Sequence, residues 1–246
     1  MLLDRDRTLS GLPLDRVDAL RLTYAGASAE DVLAGVHAEF PGEVALVSSF
    51  GAEAAVLLHM VARLDPDLPV LMVDTLMLFE ETLAYQRELS EVLGLRNVQH
   101  LRPEAEDLAA LDPDGTLHRR DPDACCVVRK VAPLDRALRH WPVVLSGRKR
   151  FQSATRAALE VFEADGDRLR VNPLAHWSAT DIRAYMDRHA LPRHPLVAKG
   201  FPSIGCAPCT TRVAPGEDMR AGRWRGTGKN ECGIHFGADG RILRAS

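Results

Sequence analysis

The sequence has no apolar run long enough to cross a membrane. Its first seven residues, Met1 to Arg7, carry acidic and basic side chains where a secretory signal would need an apolar stretch. We therefore expect a soluble, cytoplasmic protein. Its 246 residues, 46% of them hydrophobic, are sufficient for a buried core, and we find no internal repeat or low-complexity segment. One domain with a C-terminal extension fits this length best.

The chain also lacks a strong excess of either charge. A formal net charge of -3 argues against a general nucleic-acid or membrane-surface binder. The average hides a local excess, because residues 119–156 contain ten Lys and Arg against three Asp. Such a short basic stretch suits one small anionic ligand better than a polyanion groove. For any single cation in it, a solvated helix face is an equally good interpretation.

Short apolar, β-branched runs alternate with helix-like stretches along most of the chain. The runs predict strands, and the stretches between them predict helices, as in a doubly wound, mostly parallel sheet flanked by helices. The predicted strands are Val44–Val47, Pro69–Val73, Val98–Leu101, Pro142–Leu145 and Arg168–Val171, and the predicted helices are Ala52–Arg63, Glu80–Leu93, Ala124–Arg139 and Ser178–His189, the last capped by Ser178. After Leu191 the chain is rich in Pro, Gly and Cys, which predicts a loop-rich segment.

The first predicted strand runs into a helix through Ser48-Ser49-Phe50-Gly51-Ala52-Glu53. Such a turn presents backbone N–H groups and a helix dipole to an anion, and Gly51 allows close approach of the backbone. The turn lacks the Gly-Lys-Ser/Thr of a Walker A loop and is not a G-x-G-x-x-G fingerprint. By itself it is also compatible with an ordinary strand-to-helix connection.

Four of the five cysteines form two close pairs, Cys125-Cys126 and Cys206-x-x-Cys209. A pair of disulfides is the alternative to a metal site, but nothing else resembles a small secreted scaffold. Structural zinc favours paired C-x-x-C knuckles, so adjacent cysteines favour a cysteine-ligated iron–sulfur cluster. Arg129 and Lys130 follow the first pair, and cations there would lower thiol pKa values. A thioredoxin-type redox pair at Cys206 and Cys209 ranks below the ligand interpretation.

The fifth cysteine, Cys232, lies in Glu231-Cys232-Gly233-Ile234-His235 after a polar, glycine-containing approach. Such a thiol reacts as the thiolate, and Lys229 and His235 are candidate activators. A terminal cysteine without a role is the alternative interpretation.

Taken together, the turn at Ser48 to Glu53, the two cysteine pairs and the Glu-Cys-Gly-Ile-His segment resemble the assimilatory adenylylsulfate (APS) reductases, the iron–sulfur branch of the sulfonucleotide reductases. The resemblance implies a PP-loop-type α/β fold (adenine nucleotide alpha hydrolase-like). With the change of composition after Leu191, we place the α/β nucleotide-binding domain, including N-terminal helices, at residues 1–191 and the cluster-anchored segment with the catalytic tail at residues 192–246, in one structural unit. The resemblance also implies a 4Fe-4S cluster on Cys125, Cys126, Cys206 and Cys209, with Cys232 as nucleophile.

By position, the resemblance further implies phosphosulfate contacts at Lys130, Arg156, Arg220 and Arg223. It assigns the nucleotide phosphate to Ser48, Ser49, Gly51, Ala52 and Glu53, and the adenosine to the vicinity of Asp74, Thr75 and Leu76. Relatives commonly have Gly where this chain has Leu76. Arg220 and Arg223 lie three residues apart, so one helical turn could direct both toward a ligand.

The activity implied is reduction of APS to sulfite and AMP through an S-sulfocysteine on Cys232, with Lys130 and His235 assisting. Thioredoxin, or a glutaredoxin-like dithiol, would be the reductant, and a homo-oligomer is an open alternative to a monomer. Three other functions stay open: a PAPS reductase, a PP-loop ATP pyrophosphatase, and a non-enzymatic iron–sulfur redox sensor. Phe50 and Ala54 stand where the pyrophosphatases have Ser and Asp, which counts against ATP cleavage.

Overall fold

The computed structural model describes residues 14–227, 229 and 231. Six strands form one sheet: β1 Val44–Val47, β2 Val70–Val73, β3 Val98–Leu101, β4 Val143–Ser146, β5 Phe162–Asp165 and β6 Arg168–Val171. The α-helices in this part of the chain are α1 Leu14–Thr23, α2 Ala29–Glu39, α3 Ala54–Leu64, α4 Glu80–Leu93, α5 Ala105–Leu111, α6 Leu117–Arg120, α7 Pro122–Cys126, α8 Ala132–Leu138, α9 Ala179–Arg188 and α10 Pro195–Ala198.

The strand order is β3-β2-β1-β4-β6-β5. All neighbouring strands are parallel except β5 and β6, which form an antiparallel hairpin at one edge. The mostly parallel sheet predicted from the sequence is confirmed, and each predicted strand is present within one residue of its expected bounds. Strand β5 is an addition to the five predicted strands.

Alternate residues of the central strands face opposite sides of the sheet, and both sides are covered by helices. Leu46, Met72 and Leu145 belong to the larger core, which contains residues of α2, α3 and α9. Ala45, Leu71 and Val144 belong to a smaller core with Leu134 and Leu138 of α8. Because the strands are buried on both faces, they are continuous apolar runs in the sequence.

The helix ends follow local capping chemistry. Ser178 caps α9 as predicted, since its hydroxyl accepts from Asp181 N at 3.2 Å while Asp181 Oδ2 accepts from Ser178 N at 2.8 Å. Gly94 ends α4 in the left-handed conformation with φ of 70°. Asp121 caps α7 by accepting from Asp123 N and Ala124 N.

The predicted helix from Ala124 to Arg139 is divided into three parts. Helix α7 carries the cysteine pair, a π-type turn occupies Val127–Val131, and α8 continues to Leu138. Such turns are rare and occur mainly at functional sites. Here the turn follows directly after both thiols.

The C-terminal segment, residues 192–227, is loop-rich as predicted and lies against the exit of β2. Isolated bridges pair Leu78 with Cys206 and Thr210 with Arg223. Ala207 N donates to Met77 O at 2.8 Å, and Trp224 N donates to Cys209 O at 3.0 Å. The proposed division at residue 191 stays a prediction.

No helix in the described part of the chain has the length and apolar character needed to span a membrane.

Candidate active site

A cavity of about 290 Å³ lies at the carboxyl edge of the sheet, where β1 lies between β2 and β4. The connections after β1 and β4 leave neighbouring strands here, which is where doubly wound sheets bind ligands. Its lining includes eleven residues assigned above to substrate or cluster: Ser48, Ser49, Gly51, Ala52, Glu53, Thr75, Lys130, Arg156, Cys206, Arg220 and Arg223. Their individual roles stay predictions.

The turn after β1 is tightly wound against the cavity. Phe50 has a left-handed φ of 47° and is fully buried, and its N–H donates to Ser48 Oγ at 3.2 Å. A Cβ at Gly51 would lie 3.3 Å from Ser49 Oγ, so a side chain there would press on that hydroxyl. The turn thus brings backbone and two hydroxyls to the start of α3.

Glu53, at the start of α3, forms an ion pair instead of a cap. Its Oε2 lies 2.9 Å from Lys149 Nζ and accepts from Gln152 Nε2 at 2.9 Å. Lys149 is only 2% exposed, and burial lowers its pKa although Glu53 opposes that shift. Neither Lys149 nor Gln152 was predicted as a site residue, although both lie in the basic stretch.

Arg148 adds a partly buried cation at the cavity. Burial lowers its pKa to about 10, and it lies 2.5 Å from Glu163 Oε2 on β5. Ser146 Oγ and Asn172 Oδ1 also accept from it at 3.3 Å each. Glu163, in the hairpin of β5 and β6, therefore offsets the positive charge of Arg148 at the cavity wall.

Arg156 and Arg220 converge on the carboxylate of Glu231. Arg156 Nε donates to Oε1 and its second terminal nitrogen to Oε2, each at 3.1 Å. Arg220 donates to Oε2 at 3.1 Å. This forked geometry is the one that arginine offers to carboxylates, sulfates and phosphates. Glu231 lines the cavity, and the sequence analysis gave it no role.

Three cations, Arg223, Lys130 and Lys229, lie close to the indole ring of Trp224. The guanidinium of Arg223 lies 4.4 Å and Lys130 Nζ 5.9 Å from a ring centroid of Trp224. A Cβ at Gly205 would lie 2.1 Å from an Arg223 nitrogen, so only glycine permits this stacking. Lys229 Nζ lies 5.8 Å from the Trp224 ring and pairs with Asp123 beside the cysteine pair.

Arg129, next to Lys130, has a different position from its neighbour. It is 6% exposed and donates to Asp112 Oδ2 from two nitrogens, at 2.9 and 2.6 Å, and to Thr75 O at 3.0 Å. Burial would raise the pKa of Asp112, but Leu117 N–H and Arg129 outweigh it and hold that pKa below its usual value. Arg129 therefore connects the π-type turn to Asp112 at the end of α5 and to the loop that follows β2.

The four paired cysteines are brought together as free thiols, and Cys125, Cys126 and Cys206 are buried. Burial, and then the neighbouring Cys126 and Cys206, raise the pKa of Cys125 to about 12. The pKa of Cys209 is also raised, first by burial and then by Cys206. As expected, Arg129 lowers the pKa of Cys125 and Lys130 lowers that of Cys209, but desolvation outweighs both cations, so the net shift is upward.

The surroundings of the four thiols bear on the cluster predicted from the sequence, which stays a prediction. No group of three or more His, Cys, Asp or Glu within the described residues is arranged to hold one metal ion. Thr75 Oγ1 lies 3.2 Å from Cys206 Sγ. Trp224 Nε1 and Arg223 Nε are buried donors that lack a hydrogen-bond partner in the described part of the chain. Buried N–H groups near thiols could donate to the sulfur atoms of a cluster, so these residues are compatible with the predicted group.

Two residues assigned to the adenosine do not line the cavity. Asp74 accepts from Leu76 N at 3.1 Å and from Arg102 Nε at 2.9 Å, so it braces the loop after β2. Leu76 is 52% exposed and has a left-handed φ of 57°, the conformation that glycine favours. Cys232 and His235 lie outside the described residues, so their assigned roles stay predictions.

The parallel sheet, the anion-compatible turn and the convergent cations define an α/β protein of the nucleotide-binding, PP-loop type. A family model, the phosphoadenosine phosphosulfate reductase domain, matches residues 43–212. The chain belongs to this family, and the resemblance found in the sequence is confirmed.

Individual relatives agree with that assignment. An adenosine 5'-phosphosulfate reductase from Mesorhizobium japonicum is 57% identical over 197 residues, which cover 80% of this chain and 78% of the relative. One from Chelativorans sp. is 49% identical over 229 residues, covering 91% and 94%. The crystal structure of PAPS reductase from Candida auris in a phosphate complex superimposes with a TM-score of 0.71 at 26% identity, covering 82% of this chain and 98% of that one.

Proposed function

We propose that this protein reduces APS to sulfite and AMP in assimilatory sulfate reduction and cysteine biosynthesis. The observation that carries the proposal is the meeting of three features in one cavity: the turn after β1, the cations Lys130, Arg156, Arg220 and Arg223, and the residue that precedes Cys232. Relatives named for APS reduction support the substrate. The cations suit a ligand that carries two anionic groups in line.

The first chemical step is attack of the Cys232 thiolate on the sulfur of APS. A sulfur–sulfur bond forms, the bond from that sulfur to the phosphate oxygen breaks, and AMP leaves with the electron pair. Lys130 and the arginines stabilise the charge that develops on the leaving phosphate and on the sulfonate oxygens. The product is an S-sulfocysteine.

A dithiol completes the reaction. One thiolate of thioredoxin, or of a glutaredoxin-like donor, attacks the Cys232 sulfur, and sulfite leaves with the pair of the sulfur–sulfur bond. The second thiol of the donor resolves the mixed disulfide and returns Cys232 as a thiolate. The donor finishes oxidised, and its two thiols supply both electrons.

Cys125, Cys126, Cys206 and Cys209 would hold a 4Fe-4S cluster. When bound, the cluster would supply negative charge beside Lys130 and the arginines rather than the electrons of the reaction. Iron and sulfide content of the protein purified without air tests this assignment. Cys206→Ser should lose iron and the brown colour, whereas Cys232→Ser should keep both. A colourless protein that holds zinc would contradict the cluster.

The proposed activity is tested by the intact mass of the anaerobically purified protein after incubation with APS or PAPS and no thiol. An SO₃ adduct from APS alone, absent in Cys232→Ser, would support the covalent step and the substrate together. An adduct from PAPS instead would favour the PAPS reductase alternative. No adduct from either nucleotide would contradict the covalent mechanism and favour a redox sensor.

A further inference from the structure

Four side chains donate hydrogen bonds to the carboxylate of Glu231. Its carboxylate accepts from Arg156 and Arg220, and Ser153 and Thr155 present hydroxyls to Oε1 at 3.4 Å. The side chains of Arg156, Arg220 and Glu231 are only 12%, 15% and 22% exposed. This is a partly desolvated anion site that an internal carboxylate occupies.

The same donors cannot serve a substrate anion while Glu231 is in place. The forked edge of Arg156, made of Nε and one terminal nitrogen, faces the two carboxylate oxygens. The other terminal nitrogen donates to Gln152 Oε1 at 2.5 Å. A sulfonate that used the forked edge would have to take the position of the carboxylate, because two anions at one guanidinium edge would repel each other.

We infer that Glu231 is an internal competitor that occupies the site of the terminal anion and is displaced when a sulfonucleotide binds. The inference rests on the proposed function, which assigns Arg156 and Arg220 to that anion. Cys232 follows Glu231 directly in the chain. Displacement of the Glu231 carboxylate would therefore break the two ion pairs that lie next to the catalytic thiol in the sequence.

Affinity measurements distinguish this role from a fixed positioning role. A competitor reduces the apparent affinity of a ligand by the fraction of molecules in which the site is open. Removing its charge should therefore tighten binding of a nucleotide that has a second anionic group. If Glu231 instead stayed paired and positioned the tail around the ligand, removing its charge would weaken binding or leave it unchanged.

The experiment is calorimetric titration of the cluster-loaded full chain with ADP, whose terminal phosphate stands in for the sulfonate, and with AMP, which lacks that group. For Glu231→Gln we expect the dissociation constant of ADP to fall about tenfold, as for a site that is closed in roughly nine molecules of ten. For AMP we expect a change of at most about twofold, because only long-range charge is altered.

Glu217→Gln is the matched control. Glu217 is another glutamate of the C-terminal region in an arginine pair, 2.9 Å from Arg225, and it does not line the cavity. It should leave both dissociation constants unchanged. Equal ADP affinity in the wild type and Glu231→Gln, or weaker affinity in the variant, would overturn the competitor role while the proposed function stands. No binding of either nucleotide to any variant would overturn the proposed function itself, and the competitor role with it.

Discussion

The interior of the sheet and its carboxyl edge are built from different kinds of residue. The buried positions of the central strands β1, β2 and β4 are all apolar, with Ala45, Leu46, Leu71 and Val144 at most 3% exposed. Around the carboxyl edge, in contrast, charged side chains are buried almost as deeply: Asp74, Asp112, Arg129, Lys130 and Lys149 are all 8% exposed or less. The apolar layer therefore ends abruptly where the strands end.

The difference shows how the two regions divide stability and function. Burying a charge is unfavourable unless it is paired, and even paired charges add little net stability. The edge pairs Arg129 with Asp112 and Lys149 with Glu53, so its charges are fixed before a ligand arrives. Preorganised charge of this kind stabilises transition states. The apolar interior supplies the stability that the edge costs.

The largest effect is expected from removing one buried charge at the edge. In Asp112→Asn, the buried guanidinium of Arg129 loses its carboxylate, so the unfolding free energy should fall by about 3 to 5 kcal/mol. Denaturant unfolding at constant pH measures the loss. Asp114→Asn is the control from the same loop, since its pair with Arg120 is solvent-exposed, and it should lose little. Equal losses in the two variants would refute the contrast.

A somewhat smaller loss is expected in the interior. Leu145 is 1% exposed on β4, so Leu145→Ala should lower the unfolding free energy by about 3 kcal/mol through lost burial and a cavity. Leu111→Ala, at a residue 54% exposed, should change it little. Urea unfolding of both variants tests the prediction, which a small loss at Leu145 would contradict.

His194 offers a pH test of the polar contacts outside the cavity. Its Nδ1 accepts from Leu196 N at 3.2 Å, its Nε2 lies 3.1 Å from Thr82 Oγ1, and burial lowers its pKa from 6.5 to about 4. Because the unfolded chain binds the proton more readily, stability should fall as pH drops from about 6.5 to 4, by an amount on the order of 2 kcal/mol after allowance for solvent screening.

The matched variant for that test is His194→Asn, which keeps an acceptor for Leu196 N but does not titrate. Its unfolding free energy should depend less on pH across the same window than that of the wild type. Parallel curves for the two proteins would show that His194 does not carry the dependence.

The smallest effect is expected at Leu76, in the loop after β2. Its left-handed φ of 57° is strained for a leucine. Leu76→Gly should therefore increase the unfolding free energy by about 1 kcal/mol at most and raise the thermal midpoint. Ala84→Gly, at an exposed position within α4, should lower it instead, because glycine weakens a helix interior. Opposite signs are the outcome to look for, and a loss of stability in both variants would contradict the strain.

The sequence predicted those parts of the fold in which one residue type repeats. The buried parallel strands are apolar runs, so β1 to β4 and β6 were found within one residue of their bounds. Strand β5, Phe-Glu-Ala-Asp, has no such run and was missed. The two-residue turn Gly166-Asp167, with φ of 65° at Gly166, was the available signal for its hairpin.

Site residues were predictable where a motif carried them and not where only the fold brings them together. The cysteine pairs and Arg156, Arg220 and Arg223 follow from short motifs. Lys149 and Glu53 are 96 residues apart in number, and only the adjacency of β1 and β4 brings them together. Glu231 is part of the Glu-Cys-Gly-Ile-His motif, but the sequence does not indicate its ion pairs with Arg156 and Arg220. Those pairs depend on how the C-terminal segment folds against the sheet.

The π-type turn at Val127–Val131 fixes the rotational phase between the thiols and the helix that follows. Each residue of an α-helix advances the side chains by about 100°, so one residue more or fewer in this turn would rotate α8 by that angle relative to Cys125 and Cys126. Leu134 and Leu138 would then leave the face that packs on Ala45 and Leu71. In this stretch, the number of residues is therefore as strict a constraint as their identity. An insertion or deletion would remove the apolar face of α8 from the sheet without changing any residue of α8.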